Sequence, residues 1–282
     1  MKGSDLTMKT SELMDQIESR IKELATRTEE AKASEEVTQY LQFISKFHRY
    51  SLHNSMSIWM HCPHATQVAG YKAWQKLGRN VKKGEKGIPI FAPCTHVVTE
   101  VDEEDERKVR RVIGFKIVYV FDVSQTEGEL LPEAPITARG QADGLVPILE
   151  SIARSHGITY GYQTMDGSHH GTSYGGHIEI DARLDDAGRA SVWVHELAHE
   201  LLHKGDDRQM LSRLQRETEA EATAYVVCTH FGIDSAAPNY LALWRAEPEE
   251  IMGAFQRIRN VASTLIEAIE AEIPSYREEV PA

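Results

Sequence analysis

Cysteine is scarce: Cys62, Cys94 and Cys228 are the only three in 282 residues, odd in number and far apart. That pattern excludes a disulfide framework and a four-cysteine zinc site, and it reads as reduced thiols in a core. Equally absent is any run approaching the roughly 20 apolar residues of a membrane span. The opening residues, MKGSDLTMKTSE, lack the apolar core of a signal peptide. The expectation is a cytoplasmic protein with no membrane partner. Positive charge is also short, 31 Lys and Arg against 43 Asp and Glu, for a net charge of −12. Taken as an average, that argues against a nucleic-acid partner. What remains, 41% hydrophobic and 26% charged residues, is globular, and 282 residues suffice for two domains with cores of their own.

The average hides a local reversal. Between Tyr40 and His96 stand eight cations, Lys46, Arg49, Lys72, Lys76, Arg79, Lys82, Lys83 and Lys86, against one anion, Glu85. This stretch is therefore +7, and −12 minus +7 leaves −19 for the rest of the chain. Aromatic residues are interleaved with the cations: Trp59, Tyr71, Trp74 and Phe91. Cations along phosphates and flat rings under bases are what single-stranded nucleic acid requires. The alternative is a set of core aromatics beside solvated lysines, and Phe91 in particular reads as core.

The most informative stretch is SVWVHELAHELLH, residues 191–203. His195 and His199 are four apart, which on a helix puts two imidazoles on one face about a turn apart, where both can meet one metal ion. Glu196 sits beside the ion instead of on it, suited to take a proton from water. Two histidines on one side of a helix are by themselves only a polar stripe. Here Val192, Leu197, Ala198, Leu201 and Leu202 give the helix, Ala190 to Leu202, a core-facing side. Zinc is the expected ion, with manganese, iron or cobalt as alternatives.

A hydrolytic zinc site needs a third protein ligand. His203 reads as a neighbour, because no glycine breaks the helix before it. The next helix, about Arg208 to Phe231 and stopped by Gly232, offers three glutamates. At ~100° per residue Glu221 lies closest to the centre of the apolar face, so Glu221 is the expected ligand, with Glu217 as a residue that supports the ligands or as the fallback ligand. Glu219 reads as solvated. HCPH, residues 61–64, has no second ligand pair and reads as a turn before Pro63.

This arrangement resembles the zincin-like peptidases, especially the ImmA/IrrE type, in which the third glutamate sits in an E-A pair with an aromatic four residues on. Glu221, Ala222 and Tyr225 match that pattern, and Glu219-Ala220 is a second such pair. The stretch from Asn54 to Pro93, with VYVFDVSQTEGELLP downstream, resembles the amino-terminal single-stranded-DNA-binding domain of ArdC-type antirestriction proteins. Those join such a domain to a zincin-like metallopeptidase domain. The resemblance implies a mobile-element protein that shields incoming DNA from host restriction. Its partners would be single-stranded DNA, an unidentified protein substrate and the host restriction endonuclease.

The expected fold class is α+β: a helical and β-hairpin DNA-binding domain, residues 1–135, then a mainly helical zincin-like domain, residues 136–282. The spacing predicts helices over 9–32, 34–48, from Ser51, over 71–77, 145–156 and 247–273. Strands are expected at 88–93, 96–101, 109–121 and 177–181, with the acidic DEEDER as a hairpin tip. DNA contacts are expected from Trp59, Tyr71, Lys72, Trp74, Lys76, Arg79, Lys82, Lys83 and Lys86. The metal site is expected from His195, His199 and Glu221, with Glu196 as the base and Tyr174 or His177 as a helper at the substrate carbonyl. Two other readings stay open: a DNA-binding protein with a structural zinc, and a regulatory peptidase that cuts a repressor or restriction subunit.

Overall fold

The computed structural model describes residues 8–26, 30–102, 105–131, 144–165, 169–203, 211–233 and 248–273. Its packing divides the chain into one unit of residues 1–20 and 50–131 and another of residues 21–49 and 132–282. By packing, residues 21–49 thus group with the later part of the chain, whereas the expected cut at 135 keeps residues 1–135 together. Helix α1 (Thr10–Thr26) buries Leu13, Ile17, Ile21 and Leu24 completely, and α2 (Glu30–Lys46) follows. The break between them, expected near 33, falls earlier. No apolar residue lies between Leu24 and Val37 except alanine, so periodicity had nothing with which to mark it.

In the first unit, α3 (Leu52–His61) is capped by Ser51, whose side chain accepts from Asn54 N. Strands β1 (Val68–Gly70), β3 (Ile88–Asp102) and β4 (Asp105–Asp122) form an antiparallel sheet in the order β1-β4-β3. Strand β2 (Arg79–Val81) pairs with β5 (Thr126–Gly128), and the short helix α4 (Tyr71–Lys76) stands between β1 and β2. The two strands expected at 88–93 and 96–101 are one, because a register shift at Cys94/Thr95 bends the ladder without ending it. Helix α3 is keyed to β3 by polar bonds: Asn54 Nδ2 donates to Phe91 O at 2.9 Å, Phe91 N donates to Asn54 Oδ1 at 2.8 Å, and Ser57 Oγ donates to Pro89 O at 2.6 Å. Residues 103–104 at the hairpin tip lie outside the described residues.

In the second unit, α5 (Leu145–Ser155) precedes a small sheet of β6 (Thr159–Gln163), β7 (Gly171–Ser173) and β8 (His177–Asp181) in the order β6-β8-β7. Only β8 was expected; β6 and β7 are too short and too glycine- and serine-rich to show a period of two. Three long helices complete the unit: α6 (Asp186–Leu202), α7 (Arg213–Phe231) and α8 (Pro248–Glu272). Helix α6 starts before the expected Ala190, since Asp185 caps it by accepting from Gly188 N. A capping box of Ser212 and Gln215 starts α7, and Gly232, at φ 71°, ends it. The expected start near Arg208 lies outside the described residues. Helix α2 packs here: Gln42 Nε2 donates to Tyr225 Oη at 2.7 Å, and Tyr40 meets Phe255 edge-on with ring centroids 5.7 Å apart.

Just beyond α2, His48 is buried beside His230, which is paired with Glu270 at 3.0 Å; Arg49 also reaches Glu270 at 3.0 Å. Burial, helped by the nearby His230, pushes the His48 imidazole down to about 4. The folded protein thus holds His48 neutral where the unfolded chain would protonate it at its ordinary value near 6.5. This contribution to stability is full above pH ~6.5, declines as pH falls, and is lost by about pH 4, a difference of roughly 3 kcal/mol. Urea unfolding at pH 7.5 and 5 should show that decline, and His48→Phe should flatten it. An unaltered pH profile in that variant would assign the decline to other groups.

Candidate metal centre

The site is built where α6 passes α7. Ala198 and Ala220, both fully buried, share a cluster with Leu202, and the small side chains let the two helices approach closely. Glu217 lies nearly one turn before Ala220 and so reaches back toward the middle of α6. His195 Nε2 and His199 Nε2 are 3.1 Å apart, and Glu217 Oε2 lies 3.3 Å from His199 Nε2 and 3.6 Å from His195 Nε2. Ligand atoms at zinc distances of about 2.0–2.1 Å and tetrahedral angles stand about 3.3 Å from one another, so these three fit the ion in spacing as well as in chemistry. Among the described residues they form the one group of His, Cys, Asp or Glu donors gathered closely enough for a metal.

Glu221, the expected third donor, is exposed and one turn further along α7. Its choice equated the centre of the apolar face with the metal. The centre of that face is occupied by packing against neighbouring helices, whereas a ligand must stand at its edge, where a cleft opens. Glu219 is also corrected: it is 1% exposed, pairs with Arg257 and lies 3.3 Å from His203 Nε2. A carboxylate so enclosed is structural.

The donors open on a cavity of about 710 Å³, lined also by His169, His170, Gly171, Thr172, Ser173, Glu196 and Arg216. Burial pushes the Glu196 carboxyl up to about 7, against the opposing influence of His195. Hydrogen bonds from His195 and His199 hold Glu217 well below the usual carboxylate range. The two carboxylates thus separate into a base near neutrality and a permanent anion. Strand β7 lies against Glu196 so closely that a Cβ on Gly171 would stand 2.6 Å from both Glu196 Oε1 and Val192 Cγ1. Gly171→Ala should therefore cost about 1–3 kcal/mol in urea unfolding. Unchanged stability would mean that Glu196 swings aside freely.

Glu200 went unnoticed in the sequence, where it only continued the helix. Its buried carboxylate accepts from Ser173 Oγ at 2.6 Å, Gly175 N at 2.8 Å and Gly176 N at 2.7 Å, and so fixes the turn after β7. A glutamate directly after the second histidine, inside an apolar helix, was the available signal. The expected helpers Tyr174 and His177 do not line the cavity; their rings stack on each other at 6.2 Å. His170 does line it, with Nδ1 3.5 Å from Oδ2 of Asp181.

The expected DNA contacts fare unevenly. Trp74 is 2% exposed and its indole Nε1 donates to Phe121 O at 2.9 Å; Trp59 is 7% exposed, with the Arg20 guanidinium 5.5 Å from its ring centroid. Both tryptophans are core, as is Phe91, and neither indole offers a face to a base. Arg79 is bound up with the β5 strand, its Nε donating to Thr126 Oγ1 at 2.8 Å, and Lys82 Nζ donates to Ser124 O at 2.9 Å. Lys46 and Arg49 belong to the second unit. Tyr71, Lys72, Lys76, Lys83 and Lys86 are exposed.

Two family models match separate parts of the chain. Residues 8–121 match the model of the N-terminal domain of anti-restriction factor ArdC, and residues 153–232 match that of the IrrE N-terminal-like domain. An uncharacterized Bacillus anthracis protein is 25% identical over 317 residues, covering 96% of this chain and 53% of that protein. The chain thus spans about half the length of that relative. Among solved structures, the metal-free antirestriction ArdC protein from the R388 plasmid is 19% identical, with a TM-score of 0.48, over 82% of this chain and 87% of that one. Its Mn(II)-bound form gives 16% identity and a TM-score of 0.46, over 82% and 86%.

Proposed function

Since this chain is an ArdC-type protein, with the ArdC N-terminal domain ahead of an IrrE-like domain, we propose that it binds single-stranded DNA and hydrolyses peptide bonds at a zinc centre. The observation that carries the second half is the convergence of His195, His199 and Glu217 beside a buried Glu196 held near 7. The three donors would hold zinc, with manganese as the alternative. When bound, the ion supplies Lewis acidity toward a carbonyl and toward water.

The chain's own residues do the rest. Glu196 takes the proton of the attacking water and returns it to the leaving amine nitrogen, a task suited to a group near neutrality. A structural zinc would have no use for that buried carboxylate, which favours the catalytic reading over the structural one. Strand β7 is an edge of its sheet and lines the cavity, so its backbone is placed to pair with an extended peptide. Glu200 fixes that strand, and His170, oriented by Asp181, faces the cavity where a substrate carbonyl would be polarised.

The first half rests on the basic loops of the N-terminal unit, where six cations face one anion between Tyr50 and His96. In this reading the protein works in the cytoplasm for a mobile element, coating entering DNA against restriction. The test is zinc content by elemental analysis together with titration of a labelled oligothymidylate. Substoichiometric metal after zinc loading would remove the peptidase half, and absent oligonucleotide binding would remove the other.

A further inference from the structure

With both tryptophans buried, the N-terminal unit needs another surface on which bases could stack. Among the described residues, its exposed tyrosine and phenylalanine rings are Tyr71 at 49%, Phe115 at 60% and Tyr119 at 44%. Phe115 and Tyr119 are four apart on β4, an even separation that places them on the same side of the strand, ~13 Å apart at the rise of a β-strand. Tyr71 follows directly on the Gly70–Val120 pair of β1 and β4, so its backbone lies beside the Val120–Tyr119 step. Two rings on one side of β4, with Tyr71 at the head of α4 beside that strand, mark out a track on this sheet.

The basic loop lies against this track. A Cβ on Gly87 would stand 2.7 Å from the Tyr119 Cβ and 3.2 Å from the Phe121 ring, so only a residue without a side chain lets the loop approach so closely. Lys83 and Lys86 stand just before that point in the chain, and Lys72 and Lys76 lie on α4 after Tyr71; all four are exposed. The loop's one carboxylate, Glu85, accepts from Gln125 Nε2 at 2.9 Å, which keeps it engaged within the fold.

We propose that Tyr71, Tyr119 and Phe115 are the platform on which bases of single-stranded DNA stack, with Lys72, Lys76, Lys83 and Lys86 along its phosphates. The assignment rests on the DNA-binding half of the proposed function and says which side chains perform it. Duplex DNA is a poor occupant, because its bases are already stacked on one another and only its backbone could meet the rings. The cationic rim suits phosphates better than the apolar rim of a protein partner would.

The experiment is fluorescence anisotropy of labelled oligothymidylate with the full chain at several salt concentrations. Tyr71→Ala, Phe115→Ala and Tyr119→Ala should each weaken binding about 5- to 100-fold and leave the salt slope unchanged. Tyr119→Phe keeps the ring and should keep the affinity. Lys83→Ala with Lys86→Ala should instead reduce the slope of log K against log salt by about 1.4, the value for two phosphates on a single strand. Wild-type affinity in all three alanine variants would overturn the platform and leave DNA binding standing. So would a Tyr119→Phe variant as weak as Tyr119→Ala, or duplex competing as well as single strand. A wild-type chain that binds no oligonucleotide would overturn the DNA reading itself. Far-UV circular dichroism melts of each variant separate lost stacking from lost folding.

Discussion

Glu196→Gln is expected to leave zinc bound at the wild-type level while peptide hydrolysis falls about 10²–10⁴-fold, the range a general base commonly supplies. Glutamine keeps the size of the side chain and its fit against Gly171, but it cannot take a proton. Because His195, His199 and Glu217 are untouched, metal content is a control within the same sample. The substitution also divides the two proposed activities. If protection of DNA from a nuclease works by coating the strand, it should survive Glu196→Gln and disappear with the aromatic and lysine variants of the N-terminal unit. Retained DNA binding with lost protection would make proteolysis of the nuclease the mechanism. Peptide hydrolysis undiminished in the glutamine variant would remove Glu196 from its role as the base.

The helix that brings His195 and His199 together was legible because its signal is local. Two histidines and a glutamate at fixed spacing inside one apolar helix need no knowledge of the rest of the fold. Strands β3 and β4 were legible for the same reason, as alternating runs on either side of an acidic tip. What failed in each case depended on a partner element. Trp74 beside Lys72 and Lys76 has the composition of a nucleic-acid contact, and only the placement of Phe121 O, to which its indole donates, shows that the ring faces inward. Residues 21–49 run into the start of the basic segment, yet α2 is claimed by Tyr225 and Phe255 from the far end of the chain. Glu219, polar in every sequence scale, is buried because Arg257 lies 38 residues away to pair with it. Long-range pairing of this kind leaves no periodic trace.

The same limit governs the third ligand, where the expected effects are large and opposite for two glutamates one turn apart. Glu217→Ala should remove most of the zinc and Glu221→Ala should remove none, since Glu217 Oε2 lies within 3.6 Å of both imidazoles and Glu221 is exposed beyond them. His199→Ala, which leaves only one imidazole, should abolish stoichiometric binding altogether. Losing one of three protein ligands typically leaves a site that cannot hold the ion through dialysis, because each remaining donor must then compete with water alone. Glu219→Ala is a separate control. It should destabilise the fold by removing the buried carboxylate that pairs with Arg257 and His203, but folded protein should retain its zinc. Elemental analysis after dialysis against a weak chelator reads all four variants at once. Zinc lost from Glu221→Ala and kept by Glu217→Ala would mean that α7 turns by about 40° and shifts along its axis when the ion binds, which is what moving from one glutamate to the other on a helix would require.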